Sequence, residues 1–298
     1  MPIPALLDET TSAKKIEILT RRIVSDVMAG EYHSVFKGQG MDFNEVREYM
    51  PGDDIRSIDW NVTARTSVPH IKRFKEEREL TVLFAVDLSA STMFGTSLRT
   101  KRALATFITA VLAFSAIRNN DRVGLLLFTK EVENYIQPRK GRGHTLRLLS
   151  ELIHTPTHQE TDIREALQSI NRLQRRKCVV FLISDFLQPN LESILSVTAK
   201  RHDLICLSVS DPRERIIPNV GLIELEDAET GKRQLIDTSS SRVRSSIESR
   251  LSARSNEVKR IFQRLQIDHV ALSTHQEDFT RPLVEFFHKR ALRKGGRT

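Results

Sequence analysis

From residue 81 onward, short apolar runs alternate with longer amphipathic stretches. TVLFAVD (81–87), VGLLLF (123–128), CVVFLIS (178–184), LICLSV (204–209) and DHVAL (268–272) are nearly unbroken in their apolar character. Runs this short and this uniform predict strands buried on both faces. Between them, 98–118, 144–153, 162–175, 190–201 and 280–292 repeat apolar residues at helical spacing. Strand and helix in alternation predict an α/β fold, a mostly parallel sheet with helices on both faces. Two segments depart from the alternation: 131–136 reads as an antiparallel edge strand, and 222–237 as a hairpin turned at Thr230-Gly231. After the hairpin, Val243, Ile247, Leu251, Val258, Ile261, Phe262 and Leu265 mark one long helix that follows a serine cluster.

The first 80 residues have a different pattern. Ile16, Leu19, Ile23, Val24 and Val27 predict an amphipathic helix over 12–29 that leaves at Gly30. Gly38, Gly40, the turn Pro51-Gly52-Asp53-Asp54 and the only tryptophan, Trp60, then punctuate short extended runs such as HIKRF at 70–74. The expected organisation is an N-terminal helix (1–30), a small β-rich module (31–80), the α/β domain (81–292) with its inserted hairpin, and a basic tail (293–298). The module either offers a charged binding face or packs on the main domain through Trp60.

Composition narrows the classes. A chain of 298 residues, 39% hydrophobic, can bury a full core. No run approaches the roughly 18 apolar residues of a membrane span, and the first 30 residues do not form a signal-peptide core, so a soluble, cytoplasmic protein is expected. Cys178 and Cys206 sit inside apolar runs and are expected as buried, reduced thiols. The net charge of +8 leaves room for an acidic partner. Part of it is local: Arg139, Lys140, Arg142, His144 and Arg147 surround Gly141 and Gly143.

Candidate chemistry collects where strands end. Open parallel sheets bind ligands just outside the carboxyl ends of their strands. The first core strand runs into Asp87-Leu88-Ser89-Ala90-Ser91, a later one into Ser184-Asp185, another into Ser210-Asp211. Asp87-x-Ser89-x-Ser91 presents a carboxylate and two hydroxyls on alternate residues. Such hard oxygen donors suit Mg²⁺ first, with Mn²⁺ or Ca²⁺ as alternatives. The competing use of these residues is mundane: Asp87 ends a strand while Ser89 or Ser91 caps a helix.

The DLSAS segment, Thr161-Asp162-Ile163 at a helix start and Ser184-Asp185-Phe186 after the next strand resemble the metal-ion-dependent adhesion site of von Willebrand factor A domains. The resemblance implies a metal surrounded by Asp87, Ser89, Ser91, Thr161 and Asp185, with Asp162 as the alternative to Thr161. GQGMDFNEVREYMPGDDIRSIDWNVTART (38–66), FKEERELTVLFAVDLSAS, DRVGLLLF and DAETGKRQLIDTS are in addition similar to bacterial proteins of domain-of-unknown-function family fifty-eight. That resemblance implies a MoxR-type AAA+ ATPase as partner, and the von Willebrand factor A resemblance implies a protein partner whose acidic residue completes the metal sphere.

Other classes fare less well. Phosphoaspartyl enzymes place a second carboxylate two residues after the nucleophile, where this chain has Ser89. No GxSxG, HExxH or P-loop pattern occurs. His154 and His158 have ligand-like spacing, but Pro156 between them breaks the helix that would align them. The 139–147 cluster could contact phosphates, yet no aromatic residue lies among its arginines to stack bases.

Overall fold

The computed structural model describes residues 12–24, 29–36, 41–76, 79–96, 99–158, 160–214, 216–226 and 231–295. The N-terminal part contains α1 (Ala13–Ile23), α2 (Ala29–Val35), β1 (Met41–Glu48), α3 (Trp60–Thr66) and β2 (His70–Glu76). The remainder runs β3 (Thr81–Asp87), α4 (Lys101–Arg118), β4 (Arg122–Phe128), β5 (Val132–Arg139), α5 (Arg142–His154), α6 (Ile163–Leu173), β6 (Val179–Ser184), α7 (Glu192–Arg201) and β7 (Asp203–Ser210). It closes with β8 (Leu222–Glu226), β9 (Arg233–Asp237), α8 (Ser241–Arg264), β10 (Asp268–Ser273) and α9 (Thr280–Gly295).

Six strands form one sheet in the order β10-β7-β6-β3-β4-β5, all parallel except the antiparallel edge strand β5. Residues of β3 alternate between two cores. Val82, Phe84 and Val86 join residues of α1, α2, α4, α5 and α9 on one face. Leu83 and Ala85 join those of α6, α7 and α8 on the other. Phe84 stacks on Phe181 of β6 with centroids 5.4 Å apart. This two-sided burial is why the strand sequences are continuous runs. In β4, a Cβ on Gly124 would lie 2.9 Å from the Ile136 carbonyl, so the edge strand approaches only because that position has no side chain. Both cysteines are free and buried, and burial pushes the Cys178 thiol up to about 12.

The chain moves outward from β3 through β4 to β5, then returns to the other side of β3 with β6. The reversal opens a crevice at the carboxyl end of β3, the residue Asp87.

The N-terminal part corrects two expectations. Gly30 is not a helix exit: it lies inside α2, in open space with no neighbour within 4 Å of a Cβ there. A helical glycine costs about 1 kcal/mol, and the burial of Tyr32, Val35 and Phe36 against the main domain outweighs it. Asp121, pushed up to about 6 chiefly by burial, accepts the Tyr32 hydroxyl at 3.1 Å and the Leu80 amide at 2.9 Å. Val27, Gly38 and Gly40 fall outside the described residues.

The ribbon β1–β2 is a separate antiparallel pair with a bulge between Phe43 and Glu45. Its connection is organised by acids: Asp53 takes both guanidinium nitrogens of Arg47 at 2.7 and 2.8 Å, Asp54 caps the turn 55–57, and Asp59 caps α3. Trp60 does not pack inward. It is 68% exposed, since Asp59 starts a helix too short to bury it.

At the other end, α9 extends to Gly295, and Arg293 pairs with Asp268 at 2.6 Å. The basic tail therefore begins inside a helix. The hairpin β8–β9 forms as expected, with Gly231 in left-handed backbone (φ 66°) and Thr230 outside the described residues. No described helix is long and apolar enough to cross a membrane.

Candidate functional site

Asp87 ends β3 between β4 and β6 and is buried. One of its oxygens accepts the Ser89 amide at 2.9 Å, the other the Ser184 hydroxyl at 2.7 Å. Burial, then repulsion from Asp185, pushes its carboxyl up to about 6, although the Ser184 and Ser89 hydrogen bonds pull the other way. The backbone then makes a single helical turn over Ala90–Met93. Ser89 occupies its cap position but makes no side-chain cap bond; its hydroxyl lies 3.1 Å from that of Ser91. The capping use of these serines is thereby excluded. Thr92 secures the turn by donating to the Ser89 carbonyl at 2.7 Å.

Ser91 donates to Asp185 Oδ2 at 2.9 Å. Asp185 follows β6, and the next residue, Phe186, has φ 57°, a left-handed conformation uncommon for a bulky side chain. Such strain costs on the order of 1 kcal/mol or more. Burial of Phe186 edge-on to Phe262, centroids 5.2 Å apart, offsets it.

Four of the five expected residues, Asp87, Ser89, Ser91 and Asp185, thus form one hydrogen-bonded set. Thr161 is placed differently. Its loop passes the turn where His158 bridges Ser89 and accepts the Ala90 amide. Its hydroxyl oxygen is buried with no hydrogen-bond partner. Asp162 is already committed: it caps α6 through the Arg164 amide and accepts Gln188 Nε2 at 2.8 Å. Although burial acts to raise its pKa, those hydrogen bonds hold Asp162 below the usual carboxylate range.

The composition pattern did not point to Lys101. Its side chain is 1% exposed, and its ammonium lies 2.9 Å from Asp185 Oδ2 and 2.5 Å from Glu214. Burial disfavours that charge, but Asp185 and Glu214 outweigh it and raise the pKa. One signal was available: Lys101 and Arg102 are the only charges in α4 before its last residue, in the first turn, where the helix dipole disfavours cations. Behind this group, Asp211 holds Thr96 and Thr274 together by accepting the Thr96 amide (3.0 Å) and the Thr96 (2.7 Å) and Thr274 (2.5 Å) hydroxyls.

Among the described residues, no group of three or more His, Cys, Asp or Glu side chains converges as a metal centre. What the cluster offers is two carboxylates and two serine hydroxyls, with the Thr161 hydroxyl buried and unpaired nearby in sequence to Ser89's partner His158. All are hard oxygen donors, the set a magnesium-like ion takes. An orphaned buried hydroxyl costs about 1–3 kcal/mol, which a bound cation or a hydrogen-bond partner would offset.

The basic cluster 139–147 is partly neutralised. Lys140 pairs with Glu79, Arg142 takes both oxygens of Glu17 at 2.6 and 2.9 Å, and His144 contacts the Val123 carbonyl at 3.0 Å. Arg142 fastens the N-terminal helix to the main domain, while Lys140 and His144 are held within that domain, which leaves less charge for phosphates.

A mostly parallel sheet with helices on both faces and an Asp-x-Ser-x-Ser turn at its switch point defines a von Willebrand factor A-like domain. The chain belongs to the family described as "Protein of unknown function DUF58", whose sequence model matches residues 45–257. It is 35% identical over 222 residues to the uncharacterized protein Rv1480 of Mycobacterium tuberculosis, covering 73% of this chain and 70% of the relative. The same figures hold for the uncharacterized protein Mb1516 of Mycobacterium bovis. Among solved structures, BatB from Bacteroides thetaiotaomicron is similar at TM-score 0.47 and 16% identity, over 72% of this chain and 99% of that one. The SpRpn10 VWA domain is similar at TM-score 0.35 and 11% identity, over 45% and 76%.

Proposed function

We propose that this chain is a protein-binding adaptor that takes a partner's acidic side chain at the carboxyl edge of its sheet, and that it is not an enzyme. In this reading Asp87, Ser89, Ser91, Thr161 and Asp185 hold a divalent cation, Mg²⁺ before Mn²⁺ or Ca²⁺. The cation, when bound, supplies residual positive charge toward an incoming carboxylate. The observation that carries the reading is the hydrogen-bonded set of Asp87, Ser89, Ser91 and Asp185, whose serines cap nothing, with the Thr161 hydroxyl buried without a partner three residues after His158, which bridges Ser89.

The chain's own residues prepare the site. Ser184 and the Ser89 amide each fix one oxygen of Asp87 and leave a lone pair on each for a cation. Ser91 and Lys101 hold one oxygen of Asp185, and the Leu187 amide holds the other at 3.2 Å. Family membership supports a wider setting, in which the adaptor works in the cytoplasm with a MoxR-type AAA+ ATPase in the assembly or remodelling of client proteins.

The test is titration calorimetry with Mg²⁺ and Mn²⁺, together with affinity purification with and without chelator, on wild type and Asp87→Ala. We expect metal uptake and chelator-sensitive partner capture that Asp87→Ala abolishes, with its unfolding midpoint kept. Capture by Asp87→Ala equal to wild type would overturn the reading.

A further inference from the structure

A groove of about 650 Å³ leads from Asp185 along the space between the β8–β9 ribbon and α8. Its walls are apolar: Phe94 and Leu187 at the end near Asp185, Ile223 and Leu225 from β8, Leu251 and Val258 from α8. The anions facing it are already matched, since Asp185 and Glu214 share Lys101 and Glu226 pairs with Arg233. The cations are not all matched. Arg213 and Lys259 line the groove and are exposed, and neither side chain has an ionic or hydrogen-bond partner among the described residues. At the floor, His269 accepts or donates one hydrogen bond with Ser208 at 2.8 Å.

The ribbon beside the groove joins no other sheet. Two-stranded ribbons are marginal in water and gain stability from being covered. Ile216 and Val220, just before it, are exposed as well. Apolar walls and uncompensated positive charge together ask for a ligand with large apolar side chains and carboxylates.

We propose that this groove receives an acidic segment of a partner protein, rich in large apolar residues, that continues from the carboxylate bound at the sheet edge. The anchoring carboxylate rests on the function proposed above; the groove and its free cations do not. Apolar side chains fill the space between Leu225 and Leu251, and a second carboxylate of the segment meets Arg213 or Lys259.

The experiment selects peptides from a random displayed library on the immobilised full chain in millimolar Mg²⁺, then measures their affinity by fluorescence anisotropy. The expected enrichment pairs Asp or Glu with Leu, Ile or Phe a few residues away. Leu251→Glu, and separately Arg213→Glu with Lys259→Glu, should each weaken binding about tenfold or more, because buried apolar anchors and matched charges each contribute on the order of 1–3 kcal/mol. Circular dichroism checks that these variants fold. Selected peptides that lack the acidic-apolar pairing, no enrichment at all, or equal affinity for wild type and both variants would overturn the proposal. Concentration-dependent self-association that Leu251→Glu removes would also overturn it, by placing a second copy in the groove. Loss of binding in Asp87→Ala with both groove variants unaffected keeps the metal reading and removes the groove. The converse pattern keeps the groove and removes the metal reading.

Discussion

Two surfaces meet at Asp185, and they are built on opposite principles. Around Asp87, Ser89, Ser91 and Lys101, almost every polar atom has a partner within the chain, and the side chains are buried. Under the β8–β9 ribbon, apolar side chains line an open groove, and its cations Arg213 and Lys259 have no ionic or hydrogen-bond partner among the described residues. The polar cluster is a preorganised unit, with little left to adjust when a ligand arrives. The groove is unfinished, and a ligand would gain there by covering apolar surface. Chemistry common to a family suits the first kind of surface, and partner choice suits the second.

The largest effect should come from breaking the polar unit. Lys101→Met leaves the carboxylate of Asp185, 4% exposed, without its counter-ion, and frees Glu214. Removing one partner of a buried ion pair costs about 3–5 kcal/mol. We expect a drop of that order in denaturant-unfolding free energy, part of it restored by millimolar Mg²⁺. A loss below about 1 kcal/mol would mean that the pair is effectively solvated.

A smaller effect, with a definite pH window, belongs to the groove floor. Burial, then the nearby Lys259 ammonium, pushes His269 down to about 4. The folded pKa lies below the unfolded value near 6.5, so the unfolded chain takes up the proton first as pH falls. The contribution of His269 is complete above about pH 6.5 and is lost as pH falls toward 4, on the order of 3 kcal/mol in all. Wild type should therefore lose more stability than His269→Asn between pH 7 and pH 4.5, as measured by urea midpoints. Parallel losses in the two proteins would show that His269 is solvated and the groove more open than described.

Ser91→Ala ranks third. It removes the bonds to Ser89 and Asp185, in a set where each net bond contributes about 1 kcal/mol. We expect a destabilisation of about 2 kcal/mol, together with a loss of metal uptake when followed by calorimetry.

How far this contrast was legible in sequence differs between the two surfaces. Asp87, Ser89, Ser91 and Asp185 follow strands whose unbroken apolar runs fix their ends, so their convergence could be read from strand order and spacing. Thr161 could be named but not joined to the others, because the loop carrying it has no period to place it. Lys101 had only its place in the first turn of the apolar helix α4 to mark it, and that does not name its partners: only the tertiary meeting of β6 and the 212–214 turn gives it two carboxylates. Gly30 misled because packing of Tyr32 and Phe36 overrides a local helix-stop signal. The hairpin and α8 were each foreseen. The groove between them was not, since it depends on how far apart two exposed elements stand, which neither pattern encodes.

The smallest expected effect separates the two faces of the ribbon. Cross-strand pairing places Leu222 with Asp237 and Glu224 with Leu235, so Leu222 and Leu235 share the outer face while Ile223 and Leu225 turn to the groove. Both outer leucines are 64% exposed and bury little. Leu222→Ser with Leu235→Ser should change stability by no more than about 0.5 kcal/mol and leave peptide affinity at the groove unchanged, whereas Leu225→Ser should weaken that affinity with similarly little effect on folding. Thermal unfolding and anisotropy on the same preparations check both. A large destabilisation from the outer pair would mean that the ribbon is held by those leucines, and the groove would then be a seam of the fold, with its apolar walls serving the chain itself.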